Sequence, residues 1–338
     1  MAASYDAFLL ISFGGPDRGE DVVPFLENVT RDKRVSAERL REVAEHYYHF
    51  GGISPLNEEN RALLRAVIQE LNTHGPQLPA YWGNRYWHPL LVDTVRQMAE
   101  DGIRRAVAFV TSAFGSHAGC RQYLEAIQRA RQAVGAGAPE IDKLRLFYNH
   151  PGFVEAMADR VQEALGQIPE RRREASRLVY TAHSLPVAMA SRCEYVDQLR
   201  EACRLVSERV GRAQWDLAFQ SRGGPPDQAW LEPEVGQQLF QLARCGVADV
   251  VVVPIGFLAE HIEVLYDLDV EAAGLCDQLG LNMVRCRTVG AHPCFVRMIR
   301  QLIVERISDD PTRLALGARG PAPDVCPPGC CPSVRPAM

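Results

Sequence analysis

The side chains best suited to chemistry follow two apolar segments in the second half of the sequence. His183 lies at the end of the segment RLVYTAH, and Glu263, Asp267 and Glu271 follow the segment DVVVVPIGF at intervals of four residues. An imidazole exchanges a proton near neutral pH, while carboxylates bind hard divalent cations and pass protons on. Together these residue types indicate a site that holds a divalent cation and moves protons.

Both signals also have structural alternatives. A single histidine after a strand is often a core residue with satisfied hydrogen bonds, and an acidic stripe on a helix is usually a solvated face. Carboxylates four residues apart repel one another, so an uncompensated row destabilises its helix. Apolar residues fill most of the remaining circumference, which argues against a simple exposed face: Ile262, Val264, Leu265 and Leu268.

Three of the ten cysteines lie close together near the C-terminus. Cys326, Cys330 and Cys331 belong to the segment CPPGCC, in a tail from Ser308 that is rich in Pro, Gly and Ala. Adjacent cysteines are poor disulfide partners because the bond is strained. Thiolates suit a zinc ion or an iron–sulfur cluster, and free or crosslinking thiols are the remaining alternative. We expect most of the scattered cysteines to be buried thiols: Cys193, Cys203, Cys245, Cys276, Cys286 and Cys294.

Short apolar runs alternate with longer stretches of helical periodicity, which predicts parallel sheets covered by helices. The predicted strands span residues 7–13, 79–85, 105–113, 144–149, 177–184, 216–222, 249–257 and 282–289. The predicted helices span residues 55–73, 90–102, 119–134, 151–167, 189–210, 233–245 and 261–279. The histidine and the carboxylate row therefore come directly after predicted strands, where parallel sheets place their binding sites.

The two halves of the chain resemble each other. Residues 101–117 align without a gap with residues 245–261, and residues 8–16 can be aligned with residues 178–186. A duplicated α/β unit explains this likeness, and chance similarity between buried strands is the alternative. We expect two Rossmann-like domains, each a parallel sheet flanked by helices, with a cleft between them. The predicted boundaries are 1–118 and 119–291 for the domains, 292–310 for a C-terminal helix and 311–338 for an extended tail.

Composition and charge argue against several classes of function. The 338 residues carry a formal net charge of -5 without a basic block, which gives no reason to expect a nucleic-acid partner. No basic region precedes the first apolar run, and the longest apolar stretch is about half of the roughly 20 residues that a transmembrane helix needs. The glycine-containing loops lack the spacing of a dinucleotide-binding motif. We therefore expect a soluble, cytoplasmic and monomeric protein.

Several motifs resemble those of the ferrochelatases, the enzymes that insert ferrous iron into a porphyrin. TAHSLP at 181–186 and PIGFLAEHIEVLYDLD at 254–269 carry the likeness most clearly. Further motifs occur in the family's order: LLISFGGP, FLENVTRDKR, HYYHFGGISPLN, GCRQY and QSRGGPPDQAWLEP. The resemblance covers nearly the whole chain and implies a lyase of haem biosynthesis, built from two chelatase-type domains.

The resemblance also implies roles for individual residues. His183 and Glu263 would face the iron and the macrocycle, confronting each other across a hollow of tetrapyrrole size, while Asp267 and Glu271 would continue a path for iron or protons. Porphyrin contacts are implied for four residues: Arg31, Tyr47, Ser54 and Tyr123. Phe13 stands where some relatives carry a tyrosine, so an axial hydroxyl contact is lost there.

The expected substrate is coproporphyrin III, and the expected product is its iron complex, coproheme. The segment GGPDRGEDVVPFLENVTRDKR carries frequent charges, which suits a carboxylated, water-soluble porphyrin. FLENVTR, HYYHFGGISPLN and GCRQY together resemble the coproporphyrin branch of the family. The planar fork of Arg31 matches a propionate. Protoporphyrin IX as substrate, a non-catalytic tetrapyrrole or metal carrier, and a chelatase for cobalt or nickel are the alternatives.

Some ferrochelatases hold a [2Fe–2S] cluster with one internal cysteine and three cysteines near the C-terminus. The resemblance assigns Cys120 as the internal ligand, together with Cys326, Cys330 and Cys331. Four thiolates are the number that such a cluster needs. The partners implied are a porphyrin, Fe²⁺ as substrate and, transiently, neighbouring enzymes of the haem pathway.

Overall fold

The described part of the chain forms two parallel sheets of four strands each in this computed structural model. The structure describes residues 4–31, 35–224, 228–327 and 329–332. The first sheet has the order β2-β1-β3-β4 and contains β1 (Ala7–Ser12), β2 (Ala80–Asn84), β3 (Arg105–Val110) and β4 (Glu140–Lys143). The second has the order β6-β5-β7-β8 and contains β5 (Arg177–His183), β6 (Trp215–Gln220), β7 (Asp249–Val253) and β8 (Asn282–Arg285).

Helices cover both sheets. In the first half they are α1 (Val22–Thr30), α2 (Ala37–His49), α3 (Leu56–His74), α4 (Leu91–Glu100) and α5 (Gln122–Val134). The second half contains α6 (Pro151–Gly166), α7 (Glu170–Arg173), α8 (Val187–Ala190), α9 (Tyr195–Arg209), α10 (Val235–Arg244), α11 (Ile262–Val264), α12 (Ala273–Leu279) and α13 (Pro293–Ile307). A π-helical segment, Leu265–Ala272, joins α11 to α12. No helix of the described residues is long and apolar enough to cross a membrane.

The predicted fold class is confirmed, because the two sheets share one topology. In each, the second strand of the unit lies beside the first, and the third and fourth follow on the other side. The central strands are apolar and fully buried, as expected for parallel strands covered on both faces: AFLLIS in β1 and DVVVV in β7. Because the two sheets share one strand order, a duplicated unit explains the likeness between the sequences of the two halves.

The predicted boundary at residue 118 needs correction, because it divides the first sheet. β4 pairs with β3, in the register Arg105 with Glu140, so the first unit includes both α5 and β4. The sequence EIDK is short and polar, as an edge strand can be, and its pattern does not reveal a strand. The apolar run 144–149, predicted as the strand, is instead buried in the main core beyond the end of β4, where the backbone N–H of Leu144 still donates to the carbonyl of Ala108 in β3.

The C-terminal helix anchors the tail to the body of the protein. Within α13, Glu305 accepts hydrogen bonds from the Nε and Nη2 of buried Arg145, at 2.6 and 2.9 Å. Arg313 in the tail donates to the same carboxylate and to Asp324, at 3.0 and 3.2 Å. The described residues of the tail contain no helix or strand, yet these polar contacts hold the segment against the protein.

Candidate functional site

The imidazole of His183 lies at the end of β5, with its ring orientation fixed. Nδ1 is 2.5 Å from the carbonyl oxygen of Ser184. Because a carbonyl only accepts, Nδ1 carries the proton in the neutral ring, and the lone pair is on Nε2. Nε2 lies 3.9 Å from Oε2 of Glu263, and the two side chains are 39% and 51% exposed. The site thus presents an accessible proton acceptor beside an accessible carboxylate.

This distance corrects one expectation. A gap of 3.9 Å between His183 and Glu263 leaves no room for a macrocycle between the two side chains. His183 and Glu263 instead lie side by side in the second unit, so a bound ligand would meet both together. Two adjacent groups can act on the same face of a ring, one on its protons and the other on the entering cation.

A tyrosine that the sequence analysis missed supports the histidine from behind. The hydroxyl of Tyr195, the first residue of α9, donates a hydrogen bond to the carbonyl oxygen of His183 at 3.0 Å. The tyrosine is buried, so this support is rigid and shielded from water. No local pattern marks this residue, because its partner is the main chain of another element.

The carboxylate row lies on a helical segment that begins as an α-helix and continues as a π-helix. Glu263 lies in α11, whereas Asp267 and Glu271 lie in the π-helical segment, a geometry that is rare and frequent at functional sites. Asp267 accepts hydrogen bonds from Gln220 and Ser221 at the end of β6. Burial raises the pKa of Asp267 to about 7 despite these bonds. The carboxyl of Asp267 therefore changes its protonation near neutral pH. The side chains of Glu263 and Glu271 differ from it in being exposed to solvent.

The raised pKa of Asp267 predicts a specific pH dependence of stability. The neutral form is favoured in the folded protein, so the contribution to folding is largest below the unfolded-state pKa and is lost as pH rises through about 7. Asp267→Asn cannot ionise, and we expect its urea midpoint to change less between about pH 6 and 8 than that of the wild type. Asp93→Asn, on an exposed face of α4, is the control. Parallel profiles for all three proteins would contradict the prediction.

Aromatic side chains join the two units at the mouth of the site. His46 of α2 stacks on Tyr266 of the π-helical segment, with ring centroids 3.6 Å apart and planes at 8°. Tyr47 packs edge-on against Phe25, and burial together with the charge of Glu263 raises the pKa of its hydroxyl. The C-terminal end of α2 in the first unit therefore lies against the segment that carries the carboxylate row in the second unit.

The other residues implied in porphyrin contacts differ in accessibility. Arg31, at the end of α1, is exposed. Ser54 is buried, and its backbone N–H donates to the carbonyl of Pro16. Tyr123 is also buried, and the guanidinium of Arg85 lies 4.5 Å from the centre of its ring. Arg31 is therefore accessible to a ligand, whereas Ser54 and Tyr123 are enclosed by the protein.

The predicted cluster cysteines affect one another's ionisation: Cys326 raises the pKa of the Cys120 thiol, and Cys120 lowers the pKa of the Cys326 thiol. The sulfur atoms of Cys330 and Cys331 are 3.6 Å apart. Cys331 lowers the pKa of a fifth thiol, that of Cys193, to about 7. Thiols are the soft ligands that an iron–sulfur cluster requires.

A second cluster of metal-ligating residue types lies between α6 and α13. One ligand atom from each of Asp159, His292 and Cys294 lies within 4.8 Å of the others. However, Nδ1 of His292 accepts a hydrogen bond from the backbone N–H of Cys294, so the neutral ring carries its proton on Nε2, which faces Asp159 at 3.5 Å. This arrangement caps α13 and links it to α6.

Comparisons with known proteins give a consistent result. A family model described as Ferrochelatase matches residues 5–307. A protein of Rhodopirellula baltica named Ferrochelatase is 51% identical over 331 residues, covering 97% of this chain and 93% of that protein. A protein of Streptomyces coelicolor named Coproporphyrin III ferrochelatase is 45% identical over 357 residues, covering 99% of this chain and 95% of the relative. A protein of the same name from Mycolicibacterium smegmatis is 49% identical over 317 residues, covering 93% of each.

Solved structures support the fold. SirB from Bacillus subtilis, determined with Fe³⁺, aligns with a TM-score of 0.59 at 12% identity, covering 90% of this chain and 97% of that one. DR2241 from Deinococcus radiodurans, described as similar to chelatases, aligns with a TM-score of 0.53 at 14% identity, covering 91% of this chain and 56% of that one. At these identities the likeness concerns the arrangement of strands and helices alone.

Proposed function

The chain belongs to the ferrochelatase family, and we propose that the porphyrin it metallates is coproporphyrin III. Membership is shown by the family match over residues 5–307 and by the 51% identity of the Rhodopirellula baltica relative. The protein is accordingly a lyase of haem biosynthesis that inserts Fe²⁺ into a porphyrin. The observation that carries the choice of substrate is the name Coproporphyrin III ferrochelatase, shared by several relatives of 44–49% identity.

The roles proposed for the site residues follow from their geometry. Metallation removes two pyrrole protons while Fe²⁺ loses its water ligands. The free lone pair on Nε2 of His183 can accept a proton, and Glu263, 3.9 Å away, can hold the cation or pass the proton on. Asp267, with a pKa of about 7, accepts and releases protons at neutral pH, and exposed Glu271 connects this path to solvent.

The surface around the site suits a flat ring with acidic substituents. Large apolar side chains are exposed at Phe13 after β1, at Ile53 between α2 and α3, and at Val187 at the start of α8. Exposed apolar surface of this kind marks a binding site for an apolar body such as a macrocycle. The guanidinium of Arg31 can bind a propionate through two hydrogen bonds. Coproporphyrin carries more propionates than protoporphyrin does.

The substrate proposal is tested by metal insertion under anaerobic conditions. The wild type, supplied with Fe²⁺, should convert coproporphyrin III with a kcat/KM at least about tenfold higher than that for protoporphyrin IX, corresponding to one charge-assisted contact. Arg31→Ala should raise the KM for coproporphyrin with little change in kcat, because it removes a contact that stabilises the bound substrate and the transition state equally. Arg129→Ala, on an exposed face of α5, is the matched control. Equal or better use of protoporphyrin IX would contradict the proposal.

We further propose that Cys120, Cys326, Cys330 and Cys331 hold a [2Fe–2S] cluster. The support is the distance of 3.6 Å between the sulfur atoms of Cys330 and Cys331, together with the effect of Cys326 on the pKa of the Cys120 thiol. When bound, such a cluster carries one electron and crosslinks the segments that ligate it. These cysteines would then fasten the tail to the segment that follows β3.

The cluster proposal predicts the colour of the purified protein. We expect red-brown protein with visible absorption and stoichiometric iron and sulfide, and we expect Cys331→Ser to lose both the absorption and the iron. Cys245→Ser, which changes an exposed cysteine of the second unit, should retain them. Colourless wild-type protein with one bound zinc would contradict the cluster and favour a zinc site. The cytoplasmic location and monomeric state stay predictions.

A further inference from the structure

Ser221, directly after β6, has a backbone conformation that serine rarely adopts. Its φ of 58° lies in the left-handed region, and in the described part of the chain only one other residue that is not glycine, Cys331, has a positive φ. Glycine adopts this region without a steric cost, whereas a side chain there strains the backbone. A glycine at position 221 would form the same turn more favourably, so only the hydroxyl distinguishes serine from the better residue.

The hydroxyl of Ser221 donates a hydrogen bond to the carboxylate of Asp267, with 2.5 Å between Oγ and Oδ2. The same carboxylate oxygen accepts from Nε2 of Gln220 at 3.2 Å. Burial has the largest effect on the pKa of Asp267 and raises it to about 7, while the two hydrogen bonds act in the opposite direction. Two neighbouring residues at one strand end therefore converge on one oxygen of the carboxylate row.

Gln220 connects this contact to the histidine. It pairs with His183 across the sheet, and its Nε2 lies 3.3 Å from the backbone carbonyl oxygen of Glu263. The side chain is 1% exposed, so the amide is enclosed between β5 and the helical segment. The end of β6 thus fixes the start of this segment relative to His183, and Ser221 extends the connection to the side chain of Asp267.

We propose that Ser221 is a positioning residue for iron insertion, whose hydroxyl holds the carboxylate of Asp267 in the orientation that the proton path requires. The inference rests on the role proposed above for Asp267. A carboxylate that loses this bond can turn away from the path, and a misplaced proton acceptor slows the transfer. Among the described residues no hydrogen bond joins Ser221 to His183 or Glu263, so its effect passes through Asp267.

Two substitutions separate the hydroxyl from the turn. Ser221→Ala removes the hydroxyl and keeps the strained backbone, whereas Ser221→Gly removes both. We expect each to lower kcat for iron insertion about tenfold, the effect of one charge-assisted hydrogen bond, with a KM for the porphyrin within about twofold of the wild-type value. In urea, Ser221→Gly should be at least as stable as Ser221→Ala. The control is Ser308→Gly, which removes a hydroxyl that donates to the carbonyl of Val304 and should leave both constants unchanged.

A double-mutant cycle tests whether the effect passes through Asp267. Asp267→Ala should lower kcat, and the addition of Ser221→Gly should lower it by less than about a further twofold, because the partner of the hydroxyl is already gone. The assay uses whichever of the two porphyrins the wild type metallates, so its outcome is independent of the substrate proposal.

Wild-type kcat in Ser221→Gly would overturn the proposal, because glycine replaces a serine that serves only the turn without loss. An equal decrease of kcat with and without the carboxylate of Asp267 would also overturn it, since the hydroxyl would then act elsewhere. Failure of the proton path would appear separately, as full turnover by Asp267→Ala. A decrease for Asp267→Ala alone would keep the proton path and reject the role of Ser221.

Discussion

His183→Ala should abolish iron insertion while leaving porphyrin binding largely intact. The ring is the proton acceptor proposed for the site, with its lone pair on the exposed Nε2. Loss of a general base typically lowers the rate by about 10²–10⁴-fold, and we expect a decrease of kcat in this range. The support from Tyr195 acts on the backbone carbonyl of residue 183, so the substitution leaves it in place. Insertion is followed by the metalloporphyrin spectrum, and binding by fluorescence quenching.

A matched variant distinguishes the loss of the proposed proton acceptor from the general effect of removing a histidine. His74→Ala changes a histidine that is 55% exposed at the end of α3, and it should retain wild-type turnover. Added imidazole should partly restore insertion by His183→Ala but should not affect His74→Ala. Undiminished turnover by His183→Ala would remove the residue from the reaction.

Glu305→Ala should cause the largest loss of stability among the ion pairs discussed above. The guanidinium of Arg145 is 1% exposed and donates two hydrogen bonds to Glu305, so truncation of the carboxylate leaves a buried charge without its partner. Breaking a buried pair in this way typically costs about 3–5 kcal/mol in the free energy of unfolding. Glu305 also accepts from Arg313, so the tail should become easier to cleave by proteases.

The control for this prediction is an exposed ion pair. Arg96 and Asp93 are about half exposed and 2.7 Å apart, and Arg96→Ala should cost no more than about 1 kcal/mol. Urea unfolding measures the free energy of unfolding of both variants. Glu305→Gln keeps the shape of the side chain without its charge, so it tests whether shape alone preserves the stability. A loss for Glu305→Ala as small as that for Arg96→Ala would show that Arg145 finds other partners or water.

Local patterns in the sequence were sufficient to place the residues proposed to react near the strand ends. Apolar runs of strand length set the ends of β5 and β7, and residues just beyond the ends of parallel strands meet at one edge of the sheet. The positions of His183 and Glu263 therefore follow from periodicity and residue type. The likeness between the two halves likewise indicated a duplicated topology, because equivalent buried strands require equivalent apolar runs.

The sequence by itself determined the fold class, the family and the strand ends that carry the histidine and the carboxylates. Only the tertiary structure decided that His183 and Glu263 lie 3.9 Å apart and that Tyr195 supports the histidine. It also assigned β4 to the first sheet. The physical reason is that burial and periodicity are properties of neighbouring residues, whereas these contacts join segments far apart in the chain and depend on how whole elements pack.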